Sequence, residues 1–190
     1  LRYDGEQFQG VASSGLHYKD LLSPDLFTAE FTATQTGIQL SYLAFSANKD
    51  EAETRSILAY LLPYGAPFLP DYLNPALVEK VFAAQDTFET RRAEFVPTWE
   101  RDPAVTLAES APDLLLAHWR RDGRYLVVVS NVGPAARDVT LLLPPGRGEG
   151  AVVVRDLIEG VDLTAARDAG RPRVTFGIPA NTFRLLLAAP

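Results

Sequence analysis

The sequence predicts two kinds of structure in succession: a parallel α/β unit in the first half, then an all-β antiparallel sandwich. Residues 37–45 form an apolar run of strand formers, followed by a polar break at 46–50. Residues 51–62 then carry Ile57, Leu58, Leu61 and Leu62 at the spacing of one helix face. Beyond Pro97 and Pro103 the period changes, and short apolar runs alternate with turn sequences such as Asp122-Gly123.

Taken in order, residues 1–5 read as the end of a strand with Asp4 at its carboxyl edge and Gly5 opening a loop. That loop runs to residue 22 and carries His17; loops of such length are usually functional. Ser23-Pro24-Asp25 has the form of a helix start, with a cap, Pro in the first turn and an acid behind it. Residues 26–34 nevertheless alternate strictly, which favours a strand. Packing order favours the helix, with Gly37 as its C-terminal stop.

In the central stretch, Asn48 and Glu51 have the form of a capping box. Pro63, Gly65 and Pro67 end the helix. A second helix is expected over 75–92 from Leu77, Val78, Val81, Phe82 and Phe88, with a domain boundary near residue 96, giving units 1–95 and 96–190. Strands are expected at 105–109, 114–119, 124–130, 137–143, 151–156, 161–164, 173–178 and 182–188. Regular short strands with turn chemistry between them indicate a sandwich.

Composition bounds the function. A chain of 190 residues, 47% hydrophobic, can bury a sizeable core. It has no apolar run long enough to cross a bilayer, so no membrane partner is expected. Absence of cysteine removes disulfides, thiolate nucleophiles and Cys-bound metal, and fits a cytoplasmic protein as well as a secreted one. A chain starting at Leu1 and lacking Met is expected to be a fragment or a processed product. Residues 1–95 carry 7 Lys/Arg against 13 Asp/Glu, and residues 96–190 carry 11 against 11. An acidic half without basic patches argues against nucleic acid.

A strand feeding a helix places Asn48 and Asp50 at a strand's carboxyl end, where parallel α/β folds gather catalytic groups. Taken alone, the two residues read more simply as a cap, Asn48, and an acid that favours the helix dipole, Asp50. Asp4, Glu30 and Asp50 are the acids with chemical potential, since glycosidic cleavage uses paired carboxyls of different pKa. Arg2, two residues before Asp4, projects to the same side of a strand and keeps it ionised. His17 is a candidate for binding a sugar hydroxyl, whereas His118, beside Trp119, reads as packing. Tyr3, Tyr18, Tyr42, Tyr64 and Tyr72 offer faces that suit sugar rings, or packing. No phosphate loop, Ser/His/Asp order or His-x-x-x-His pair is present, and no cofactor or metal is expected.

These residues carry a resemblance. Leu1-Arg2-Tyr3-Asp4-Gly5 is similar to the Arg-x-Asp nucleophile strand of the α-amylase family of glycoside hydrolases and glucan transferases. Phe45-Ser46-Ala47-Asn48-Lys49-Asp50 looks like that family's Phe-x-x-Asn-His-Asp strand, with Lys49 where the family has His. Residues 58–68 resemble its following helix and Gly-x-Pro-Phe turn. The sequences at 125–132, 154–160 and 178–187 resemble glycosidase C-terminal β-domains. The resemblance implies a partial (β/α) TIM-type barrel segment followed by a β-sandwich, acting on an oligo- or polysaccharide by a retaining mechanism. It implies Asp4 as nucleophile, Arg2 as its partner, Asp50 as transition-state acid and Glu30 as proton donor, with Tyr3, His17 and Asn48 near the substrate. A glycosidase of another clan, or a non-catalytic glycan-binding or scaffold remnant, is the alternative.

Overall fold

One antiparallel sheet with apolar side chains on both faces sets the layer order. The computed structural model of the chain describes residues 24–25, 42–45, 49–100, 102, 104–145, 152–168 and 170–189, with the backbone alone for Tyr42–Phe45 and Asp168. These residues are mostly antiparallel sheet with few helices. Pro24 and Asp25 are helical, as the cap pattern predicts, and the competing patterns over 26–34 lie outside the described residues.

Strand β1 (Tyr42–Phe45), helix α1 (Glu51–Leu61) and strand β2 (Phe68–Tyr72) make a β-α-β crossover, and β1 and β2 pair in parallel. The predicted helix start is corrected by one feature. Lys49 is left-handed at φ 55°, so the first extended residue before the helix is Asp50, and Asp50 rather than Asn48 is the N-cap. At the other end a 3₁₀ turn, Leu62–Tyr64, runs into Gly65 at φ 60°. Two prolines, Pro67 and Pro70, hide β2 from a reading of propensity, and Pro70 is tolerated there because an edge strand has backbone donors to spare.

Helix α2 (Pro75–Phe88) is shorter than predicted. Glu89 turns left-handed at φ 59°, its carboxylate held by Arg92 and Arg121, and a 3₁₀ turn over Thr90–Arg92 leads into β3 (Glu94–Val96). The remaining strands are β4 (Thr106–Leu107), β5 (Leu114–Arg121), β6 (Arg124–Asn131), β7 (Arg137–Leu142), β8 (Val153–Asp156), β9 (Val161–Thr164), β10 (Ala166–Asp168), β11 (Arg171–Ile178) and β12 (Thr182–Ala188).

They form a six-stranded sheet, β3-β5-β6-β12-β8-β9, and a four-stranded sheet, β10-β11-β7-β4. Val127 and Val129 of β6 and Leu186 of β12 face the second sheet, where they meet Val139, Leu141, Val174, Phe176 and Ile178. Leu126, Val128 and Leu185 point the other way, into a core with Ile57, Leu58 and Leu61 of α1 and Val78 and Val81 of α2. Both faces of the sheet are thus covered, which is why β6 reads as a continuous apolar run while β11, with one wet face, alternates. The described residues make three layers: helices, a central sheet and an outer sheet.

Candidate functional site

Parallel pairing brings the carboxyl ends of β1 and β2 to one edge, and a helix starts from each. The carboxylate of Asp50 accepts the Glu53 N–H at 2.8 Å, while its backbone oxygen accepts the Thr54 hydroxyl at 2.7 Å. Thr54 Oγ1 in turn accepts the Asn74 N–H at 2.9 Å, and Asn74 Nδ2 donates to the Lys49 carbonyl at 3.1 Å. Asn74 Oδ1 caps α2 by accepting the Leu77 N–H at 3.1 Å. Thr54 and Asn74 therefore stitch the two helix starts together. Asp50 is exposed, with its carboxylate oriented by its own helix, and Tyr72 stands 47% exposed at the end of β2.

Asp50 is the predicted site residue that lies among the described residues; Arg2, Tyr3, Asp4, His17, Glu30 and Asn48 lie outside them. Among the tyrosines, Tyr64 is a packing residue: it is buried, donates its hydroxyl to the Pro24 carbonyl at 3.0 Å and stacks on Trp99. No group of three His, Cys, Asp or Glu side chains suited to a metal occurs among the described residues.

Two polar constellations escape a reading of the sequence. In the first, His118 is buried on β5 and its Nε2 lies 3.1 Å from Asp102, whose other carboxylate oxygen accepts the Ala104 N–H. Arg120 bridges Asp102 to Glu94. Burial pushes the His118 pKa below its ordinary value, against the pull of Asp102. For Asp102, burial acts to raise the pKa, but the Ala104 N–H, His118 and Arg120 outweigh it and hold the carboxyl below its ordinary value.

The second constellation centres on Asp156, which is 1% exposed at the end of β8. Its Oδ1 accepts the N–H groups of Ile158 and Glu159 at 3.0 Å, and its Oδ2 accepts from Arg184 Nη1 at 3.1 Å. Arg184 also donates to the Gly177 carbonyl of β11. Beside it an open cleft of about 420 Å³ separates Ala52 and Arg55 of α1 from residues 179–184, with Glu159 on its wall. The partners here are 28 residues apart in sequence, so no local period announces them.

No protein-family model matches the sequence, and no curated protein matches it. Several solved glycosidase structures resemble the fold. An Anoxybacillus α-amylase is 17% identical with a TM-score of 0.47, over 73% of this chain and 32% of that one. A Geobacillus thermoleovorans α-amylase, solved with acarbose, is 12% identical with a TM-score of 0.47, over 73% of this chain and 33% of that one. A GH30 endoxylanase from Clostridium papyrosolvens is 13% identical with a TM-score of 0.48, over 93% and 47%. The chain spans about a third to a half of the length of these proteins. At such identities and TM-scores the likeness carries no argument about this chain's chemistry.

Proposed function

We propose that the chain is part of a carbohydrate-active enzyme that cleaves or transfers α-glucosidic bonds with retention, residues 1–95 being the last section of a (β/α) barrel and 96–190 its β-sandwich. Asp4 is the nucleophile, kept ionised by Arg2; Glu30 is the proton donor; Asp50 stabilises the charge that develops at the anomeric carbon. Tyr3, His17 and Asn48 contact the sugar. The observation that carries this reading is the location of Asp50, in the connection that leaves the carboxyl end of a parallel strand and starts the helix of a β-α-β unit backed by the sandwich. The local sequence around it has the form expected of such a strand.

A second reading, a non-catalytic glycan-binding or scaffold remnant, is favoured by the engagement of the Asp50 carboxylate in capping its own helix. Release of reducing ends from soluble starch and malto-oligosaccharides separates the two. Catalysis predicts release by the native chain that disappears in Asp4→Asn; the same rate from both, including none, rejects it. Retention of either protein on starch in the absence of turnover would then support the binding role.

A further inference from the structure

The turn between β8 and β9, residues 157–160, is gripped from both helices. Lys80 Nζ of α2 donates to the Ile158 carbonyl at 3.1 Å, and the Ile158 side chain is buried in the helix-sheet core. Arg55 of α1 donates its Nη1 to Glu159 Oε1 at 2.9 Å, while its Nε and Nη2 reach Glu51 Oε1 at 2.9 and 2.8 Å. Behind the turn, Asp156 fixes the Ile158 and Glu159 N–H groups, and Arg184 lies 3.1 Å from Asp156 and 3.6 Å from Glu159. A continuous polar chain thus runs from Gly177 in the outer sheet, through Arg184, Asp156, Glu159 and Arg55, to Glu51, the residue next to Asp50.

The first turn of α1 needs such a link. Glu51 and Ala52 are exposed, Thr54 is the one fully buried residue of the turn, and the unbroken buried run begins only at Ser56. Between that turn and residues 179–184 lies the open cleft, so on the Ala52 and Arg55 side, away from the buried Thr54, close packing does not hold the helix start against the sandwich. The Arg55–Glu159 pair does, from one wall of the cleft to the other.

We propose that Glu159 is a positioning residue, which through Arg55 sets the placement of the α1 start and hence of the Asp50 carboxylate. This rests on the reading of Asp50 as part of the catalytic apparatus, but its structural half can be measured separately. Glu159→Gln keeps the shape and removes the charge, and leaves Arg55 with Glu51.

In the full chain, amide exchange of Thr54, whose N–H is bonded to the Asp50 carbonyl, is expected to quicken about 2- to 5-fold, the scale of a partly exposed ion pair. The amides of Val127 and Val129 keep their protection. On starch, kcat normalised to the folded fraction falls by a similar factor with KM unchanged; because a general loss of folded protein would also lower apparent kcat at constant KM, the normalisation and the local Thr54 exchange are what set a positioning role apart from unfolding. Arg55→Gln gives the same signature, and the double variant adds nothing beyond the larger single effect. Unchanged Thr54 exchange in both variants overturns the proposal, as does quickening spread evenly over the sheet. A native chain inactive on starch refutes the functional reading alone, and the Thr54 exchange then still decides the placement role.

Discussion

Asp156→Asn tests how much of the fold hangs on the turn between β8 and β9. The substitution is nearly isosteric, and the new side-chain oxygen still accepts the N–H groups of Ile158 and Glu159, now held at 3.0 Å. What changes is the other atom. An amide nitrogen replaces Oδ2 at 3.1 Å from Arg184 Nη1, so two donors face each other and the charge pair is gone. Breaking a fully buried pair costs about 3–5 kcal/mol. Arg184 is 22% exposed and keeps the Gly177 carbonyl, so part of its charge rehydrates and the expected loss is about 2–3 kcal/mol. Urea unfolding should show the midpoint falling with an unchanged m-value, and a melting temperature lower by about 4–12 °C. Arg184→Gln should cost a comparable amount, and the double variant clearly less than the sum, since both remove one interaction. A loss below about 0.5 kcal/mol for Asp156→Asn, or strict additivity, would refute the reasoning.

His118→Gln should remove a pH dependence. His118 is faced by Asp102, Arg120, Glu94 and Tyr125, and its folded pKa lies below the ordinary 6.5, so the unfolded chain binds the proton more readily. The native protein therefore has its full stability above pH 6.5 and loses it as pH falls from there towards the folded pKa, by at most about 1.4 kcal/mol per pH unit; unfolding of the variant between pH 7 and 5 should lack that slope. Gly65→Ala forces a side chain into the left-handed region at φ 60°, with its Cβ 2.7 Å from the Phe95 ring, which is itself packed on Trp119. Together these should cost about 2–5 kcal/mol in denaturant unfolding, and a loss under 1 kcal/mol would show that Phe95 moves freely. Asp50→Ala should cost about 1 kcal/mol through the lost cap, whereas Asp50→Asn should leave stability nearly unchanged. Starch cleavage abolished in Asp50→Asn would then report chemistry rather than folding, and full activity in that variant would remove the Asp50 charge from the catalytic apparatus.

What was legible in the sequence is what local period and turn chemistry encode. Ile57, Leu58 and Leu61 announce the buried face of α1, and Asp122 and Gly123, at φ 51° and 74°, make the turn their pairing predicts. Strands β2, β3 and β10 carry no legible local pattern, for separate reasons. The first contains Pro70; the second is three residues long; the third, Ala-Arg-Asp, has no apolar alternation and forms a sheet edge. Helix α1 follows from its apolar period but its cap does not, because the choice between Asn48 and Asp50 depends on the backbone at Lys49. In the candidate site, Asp102 meets His118 and Asp156 meets Arg184 only after the chain has folded back on itself. An Asp closing a strand before Leu-Ile-Glu-Gly does carry one local signal, that of a carboxylate capping a turn, and its Oδ1 plays that part.

The central sheet explains why a side chain in the sandwich can matter to a strand end in the α/β unit. Because Leu126, Val128 and Leu185 support the helices from one face while Val127, Val129 and Leu186 hold the outer sheet from the other, the two layers share one wall. A wall of close-packed apolar side chains fixes the middle of α1 but transmits little to Glu51 and Ala52, the exposed side of its first turn. Orientation at that turn must come from directional contacts, and the bonds of Thr54 with Asn74 on one side and of Arg55 with Glu159 on the other are of that kind. The first ties the helix start to the neighbouring β2-α2 connection, within the α/β unit; the second ties it to the sandwich. If Asp50 does chemistry, its precision depends on both. Changes at Glu159 should therefore alter turnover while the sheet beneath keeps its stability.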